Sequence, residues 1–315
     1  MAELGNDINR ASEILNAGGL VAIPTETVYG LAANAYNDDS VVKVFDAKNR
    51  PSFDPLITHI SHKNILESLT TSIPTKAQEL IDNFWPGPLT LVLPKSDKIS
   101  NLISSGLNTA AFRMPKHPLL HELLEILDFP VVAPSANPFG YVSPTSATHV
   151  NQQLGDKIDY ILDGGESKIG LESTIISFDD GQPTILRLGG LSVEDIEAVI
   201  GEVKVNIGSS SKPSAPGMLT NHYSPSKKVI LGNIEDLIEK YDSSKIGVLS
   251  YNKSFERYPN FVLSKGANLE EAAVKLFSAL RWFDDQDIDI IITEKVPDIG
   301  LGRAINDRLK RASIN

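Results

Sequence analysis

Short apolar runs recur along the chain, at LVAIP (20–24), PLITHI (55–60), LTLVL (89–93), TAAFR (109–113), PVVA (130–133), IDYIL (158–162), STIISF (173–178) and TILRL (184–188). Segments of helical period stand between them. Strands that alternate with helices can cover their apolar faces in an α/β arrangement, so the pattern excludes an all-helical bundle and an all-β sandwich. The first helix is expected from about Asp7, with Ile8, Ala11, Ile14 and Leu15 on one face and Gly18-Gly19 as its stop. Asp39 or Ser40 is placed to cap a second helix that ends before Pro51, so Lys48 and Arg50 emerge at a helix end. Helices over 75–84 and 117–127 follow, and another opens at SPTSATHV. STIISF and TILRL read as a hairpin around DDGQP, and Ser192, with Asp195 three positions on, caps a closing helix.

The alternation breaks once. NIGSSSKPSAPGMLT (206–220) is rich in Ser, Gly and Pro without periodicity and reads as a linker. Beyond it KKVILG, a helix over 234–241, KIGVLSY, a helix over 269–284, IDIIITE and a final helix from about Leu301 make a smaller βαβαβα unit. The expected division is a first α/β domain over 1–205, a linker over 206–226 that could lie as a lid over a site, and a second α/β domain over 227–315.

Composition narrows the chemistry. The chain has no cysteine, which excludes disulfides, thiolate nucleophiles and thiolate metal sites. Its six histidines (59, 62, 117, 121, 149, 222) show no metal-binding spacing, and His62, His117 and His121 read as surface residues. No apolar run reaches the ~18 to 20 residues of a bilayer span, and MAELGNDINR lacks the marks of a secretory signal, so a cytoplasmic protein is expected. The formal net charge of −11 is uneven: residues 1–205 hold 14 Lys and Arg against 26 Asp and Glu, and residues 206–315 hold 15 against 14. Such an acidic first domain repels polyanions unless cations are gathered locally.

Ligands of open α/β sheets bind where strands end, and here those loops share a chemistry. They offer Thr25, Glu26, Thr27 and Tyr29, then Lys48 and Arg50, His59, Arg113, the stretch PSANPFGYVSPT with Ser135, Asn137 and Ser143, then Ser173 and Thr174, and Arg187. Taken singly, each has an ordinary reading. A Ser or Thr after a strand caps or turns, an arginine pairs at the surface, Lys48 and Arg50 complement a helix carboxyl end, and WPGP (85–88) is architecture. Placement tips the balance, because three of the four arginines of the first segment (Arg50, Arg113 and Arg187, but not Arg10) fall in these loops. Cations and hydroxyls without an evident nucleophile point to an anionic substrate such as a phosphate. Neither a P-loop nor a strand-coupled GxGxxG is present in the first domain, and GLGRAINDRL (300–309) reads as a turn.

PTETVYGLA (24–32), KNRPSFDPLITHI (48–60), WPGPLTLVL, AFRMPKHP, APSANPFG, LESTII and ILRLGG, in this order, resemble the threonylcarbamoyl-AMP synthase (YrdC-like) family. APGMLTNHYSP followed by a small α/β domain resembles that family's two-domain form. The resemblance covers nearly all of residues 5–310. It implies a YrdC-like twisted mixed-sheet domain plus a smaller Rossmann-like domain. The implied activity condenses L-threonine, bicarbonate or CO2 and ATP, with Mg2+ accompanying the nucleotide, into threonylcarbamoyl-adenylate and pyrophosphate. A separate tRNA threonylcarbamoyl transferase system then modifies tRNAs that read ANN codons.

Carried over position by position, the resemblance sets Thr27, Tyr29, His59, Arg113, Ser135 and Ser173 around threonine. It sets Lys48, Arg50, Asp54, Thr109, Asn137, Ser143, Arg187 and Tyr223 around ATP, with Lys48 and Arg50 stabilising charge and no metal ligand from the protein. Position 54 departs from the family's asparagine, and an aspartate near a triphosphate adds like charge unless it accepts from a hydroxyl or faces a metal. Three other readings compete. An RNA-binding module without its own catalysis conflicts with the acidic charge, so stable direct tRNA binding is not expected. A hydrogenase-maturation type of carbamoyl transferase would bring cysteine-rich modules, and a catalytically dead paralogue would not keep the full set of hydroxyls and cations.

Overall fold

In the computed structural model, which describes residues 1–178, 181–208, 223–241 and 245–314, the apolar runs pair into two sheets. Among the described residues the larger sheet has eleven strands, in the order Glu3–Gly5, Tyr160–Leu162, Val21–Ile23, Gly30–Asn34, Val131–Val132, Ile57–His59, Thr109–Arg113, Leu89–Pro94, Thr174–Ser177, Thr184–Arg187 and Lys204–Val205. Parallel and antiparallel pairs mix. The second sheet has four parallel strands, ordered Lys228–Leu231, Ile290–Thr293, Ile246–Ser250 and Asn260–Val262. Among the described residues no helix is long and apolar enough to cross a membrane.

Helices begin where polar side chains satisfy their free amides. Asp7 accepts from the amides of Asn9 and Arg10 ahead of the helix Ile8–Asn16, and Ser192 accepts from Asp195 ahead of Val193–Ile200. The second helix, Asp38–Lys48, is capped by Asn37, not by Asp39 or Ser40. Asn37 stands just outside the helix and reaches the Ser40 amide, so the two aspartates occupy the first turn, where the helix dipole favours them.

Two further features matter for function. Residues 24–29 do not simply leave a strand, because Gly30–Asn34 returns antiparallel to Val21–Ile23 and every residue from 21 to 30 is buried. Thr25 holds this buried connection, its hydroxyl donating to the Val28 carbonyl and accepting from the amides of Thr27 and Val28. GLGRAINDRL turns at Gly300, φ 50°, and then enters the last helix, Gly302–Ala312, close to the expected start at Leu301; a Cβ on Gly302 would sit 1.9 Å from the Pro297 carbonyl oxygen. The expected linker over 206–226 falls, for residues 209–222, outside the described residues, as do Asp179 and Asp180 of the expected hairpin turn.

The two sheets share one core. A single buried cluster runs from Leu89, Leu91 and Phe112 to Leu276, Phe277, Leu280 and Ile305. Gly170 lies so close to the helix Leu269–Asp284 that a Cβ there would meet Val274 Cα at 2.5 Å. Gly189 makes a similar approach within the larger sheet, where a Cβ would lie 2.2 Å from the Glu172 carbonyl oxygen and 2.5 Å from the Ser173 carbonyl carbon. Both neighbours are backbone and cannot turn aside. Gly189→Ala should therefore cost about 2–3 kcal/mol, read as a lower urea midpoint at unchanged slope. Gly266→Ala, where a Cβ meets nothing within 4 Å, should shift the midpoint little.

Candidate active site

Three strand ends and one helix end build the site. Ile57–His59 and Thr109–Arg113 run parallel with His59 beside Arg113, so both side chains leave the same edge. Arg187 ends Thr184–Arg187, and a register shift between Ile185 and Arg187 pairs it with Ile175. Such a bulge re-aims the side chain that follows it. Arg50 follows the helix Asp38–Lys48 directly, after Asn49 turns the chain at φ 52°.

One cavity gathers eight of the expected residues: Thr27, His59, Arg113, Ser135 and Ser173 with Arg50, Arg187 and Tyr223. Thr25, Val28 and Glu172 also line it. The three arginines are 4–8% exposed, and each donates to main-chain carbonyls. Arg50 donates to Asp54 and Pro55, Arg113 to Gly87, and Arg187 to Ser173, where it also reaches the Ser173 hydroxyl at 3.0 Å. WPGP is therefore more than architecture, since its Gly87 carbonyl holds Arg113. Asp54 and Thr109 are not among the residues that line the cavity, although Asp54 lies beside Arg50. His59 and Arg113 stand together on one part of the wall and Arg50 on another, while Thr109 begins the strand that Arg113 ends, about 13 Å away.

The remaining expected residues stand behind the lining. Lys48 is 1% exposed and donates to the carbonyls of Ser135 and Asn137, so its ammonium holds the SAN turn and does not line the cavity. Tyr29 does not wall it either. Its hydroxyl donates to the Gly165 carbonyl at 2.7 Å and accepts from the Gly164 amide. Asn137 donates to the Pro138 and Tyr141 carbonyls and leaves a buried Oδ1 without a partner. Ser143 donates to Glu172 Oε1 at 2.5 Å. His117, expected at the surface, is partly buried against Gly164.

Burial and mutual repulsion set the electrostatics. Burial lowers the Lys48 ammonium well below its ordinary range, and Arg50 lowers it further. Burial also lowers Arg187, with Arg308 and Arg113 acting in the same sense against Tyr223 and Glu172. Asp54 is raised by burial and drawn back by Arg50, Lys48 and Arg187. Asp54 is fully buried and lies 2.8 Å from Arg50 Nη2, an ion pair by distance without an aligned hydrogen bond. Arg113 Nη2 pairs with Glu26 at 2.8 Å in the same way, leaving that nitrogen and both Glu26 oxygens without hydrogen bonds. Buried charged atoms so placed mark a site that a polar ligand can complete.

Sequence reasoning passed over two side chains here. Glu172 sits inside the LEST motif yet carries no local mark of a role. Its partner Arg308 stands 136 residues away, fully buried, with Nε 3.1 Å from Glu172 Oε2 and the guanidinium 4.6 Å from the Tyr223 ring centre. A wider cleft between Val205–Gly208 and the last helix mixes Lys295, Arg303 and Lys310 with Asp298 and Asp307, so its field is divided in sign.

Comparison with known proteins places this geometry. A family model described as telomere recombination, covering Sua5, YciO and YrdC, matches residues 13–189, and the threonylcarbamoyl-AMP synthase C-terminal domain matches 191–313. The threonylcarbamoyl-AMP synthase of Pyrococcus abyssi is 44% identical, the alignment covering 97% of this chain and 94% of that protein. That of Bacillus subtilis is 45% identical over 97% and 92%. The crystal structure of P. abyssi Sua5 complexed with L-threonine superposes with a TM-score of 0.94 at 42% identity, covering 99% of this chain and 97% of that one. HypF shares the fold of the first domain alone, at 22% identity and a TM-score of 0.53. The chain belongs to the Sua5–YciO–YrdC family of ATP-using enzymes, in the form that carries a threonylcarbamoyl-AMP synthase C-terminal domain.

Proposed function

We propose that this chain condenses L-threonine, bicarbonate or CO2 and ATP into threonylcarbamoyl-AMP and pyrophosphate, supplying the N6-threonylcarbamoyl group of tRNAs that read ANN codons. The observation that carries this reading is the meeting of Arg50, Arg113 and Arg187, from three separate segments, in one cavity lined with hydroxyls. The relatives bear the name of this activity, and P. abyssi Sua5 holds L-threonine. Threonine takes the His59–Arg113 end, its carboxylate on the Arg113 fork and its hydroxyl and methyl against Thr27, Val28 and Ser173. ATP takes the Arg50–Asp54–Thr109 end, with Arg187 between the two.

The residues then divide the work. The threonine amine adds to CO2 and loses a proton to give a carbamate. A carbamate oxygen attacks the α-phosphorus as the bond to the bridging oxygen breaks and pyrophosphate leaves. Among the described residues no three metal-ligating side chains gather. Mg2+ would ride on the nucleotide phosphates, with buried Asp54, whose oxygens accept no hydrogen bond, as an acidic side chain beside Arg50. Such an ion supplies charge neutralisation on the leaving pyrophosphate. The chain's part is alignment and positive potential, which dominate transfer at phosphorus. A cytoplasmic site of action and hand-over to a separate tRNA threonylcarbamoyl transferase complete the proposal.

Pyrophosphate release tests it. Turnover should need both bicarbonate and threonine, and threonine should exceed serine by about 10- to 100-fold, the worth of one methyl contact. Turnover independent of the amino acid removes the assignment. Arg113→Lys, which keeps the charge and loses the fork, should raise KM for threonine at least tenfold.

His59 supplies a separate check, because burial and then Arg113 push its imidazole down to about 3. A base lowered in the folded state contributes fully above pH ~6.5, and that contribution is lost as pH falls towards 3. Urea unfolding at pH 7, 6 and 5 should show the stability advantage of the wild type over His59→Gln shrinking by about 2 kcal/mol across that range. Parallel declines in the two proteins would show that His59 does not carry the effect.

A further inference from the structure

Glu172 is a carboxylate on the wall of a cavity read here as a nucleotide site, 5% exposed and between Ser143 and Arg187 in the network. Left ionised and uncompensated, it would oppose an anionic ligand over a distance that water cannot screen. The first domain does not itself supply the countercharge at hydrogen-bonding distance. The second domain does. Arg308, on the last helix and fully buried, donates from Nε to Glu172 Oε2 at 3.1 Å, from Nη1 to Asp307 Oδ2 at 2.7 Å, a carboxylate that Arg311 also holds, and from Nη2 to the Leu188 carbonyl at 2.8 Å. Its other face covers the Tyr223 ring, which stacks in turn on Phe277 with centroids 5.8 Å apart. The same domain grips the neighbouring loop through Arg281, which donates to the Val142 carbonyl, and its helix touches Gly170, two residues before Glu172.

We propose that Arg308 is a positioning residue for the nucleotide end of the site: it neutralises Glu172 and holds that carboxylate on Ser143, so that the second domain completes the charge balance of a cavity in the first. The inference rests on the ATP reading given above. Arg308 touches neither substrate, so its removal should act on nucleotide affinity and leave the threonine end almost unchanged.

ATP and L-threonine binding by calorimetry, with KM and kcat from pyrophosphate release, should be compared for the full chain and four variants. Arg308→Met should weaken ATP binding at least tenfold, raise KM for ATP in proportion, and change threonine affinity less than twofold. Arg308→Gln, which keeps donors in place without the charge, should shift ATP affinity in the same sense and serves if the methionine variant does not fold. Arg308→Lys should recover most of the loss. The decisive arm is Arg308→Met combined with Glu172→Gln, which removes both charges and should return ATP affinity to within about threefold of the wild type.

A double variant as weak as Arg308→Met overturns the proposal, since Arg308 would then act through Tyr223 or through packing. Unchanged ATP affinity in both Arg308→Met and Arg308→Gln overturns it as well. A wild-type chain that binds no ATP overturns the functional reading and this proposal together, whereas normal wild-type binding with unaffected variants overturns this proposal alone.

Discussion

The site depends on burying cations whose donors are satisfied chiefly by main-chain carbonyls. A guanidinium moved out of water loses several kcal/mol of solvation, which a carboxylate partner can offset only by removing the positive potential with it. Main-chain carbonyls avoid that exchange, because they satisfy the N–H donors and bring no net charge. Lys48 binds two of them, Arg50 two, Arg113 one and Arg187 one, all from segments that border the cavity. Where carboxylates do approach Arg50 and Arg113, the pairs are close but poorly aligned and leave oxygens without hydrogen bonds. Asp54 and Glu26 offset part of the charge of Arg50 and Arg113, and the donors and oxygens left unbonded in those pairs are what a polar ligand can engage.

Carbonyls must be presented at fixed points for this to work, and the tight turns do that. Gly87 offers its carbonyl to Arg113 while its amide donates to Met114. Gly189 lets ILRLGG lie against the backbone of Glu172 and Ser173, which brings Arg187 onto the Ser173 carbonyl and hydroxyl. Thr25 closes the buried connection that aims Thr27 at the cavity. A side chain added at either glycine would move a carbonyl and so an arginine.

Much of this was legible from residue order. Helices showed in their period and caps, and most strands in runs of branched apolar residues. Gly30–Asn34 was not legible, because GLAAN has no β-branched residue and is a strand only through its neighbours. Lys204–Val205 escaped for the opposite reason, being a two-residue exposed edge. The convergence of Arg50, Arg113 and Arg187 could be argued from their places at strand and helix ends. The turn of Lys48 and Tyr29 into the scaffold could not, since it depends on carbonyls at 135, 137 and 165 that no local pattern announces. The Glu172–Arg308 contact joins two domains, and nothing in either stretch names the other.

That contact also bears on how ligands enter. The free space in the cavity is about 40 Å³, room for roughly one water and far short of two substrates. Parting the two sheets would break the shared apolar core and the buried donors of Arg281 and Arg308 together, which is too costly for a step repeated at each turnover. Tyr223 is the strained point of the cavity wall. Among the described non-glycine residues that line the cavity it alone has a left-handed backbone, φ 69°, a conformation that costs of order 1 kcal/mol or more. Its ring rests on Arg308 and Phe277, both groups of the second domain. The second domain thus supports the cavity wall from behind, by holding the ring of its one left-handed lining residue between a guanidinium and an aromatic face.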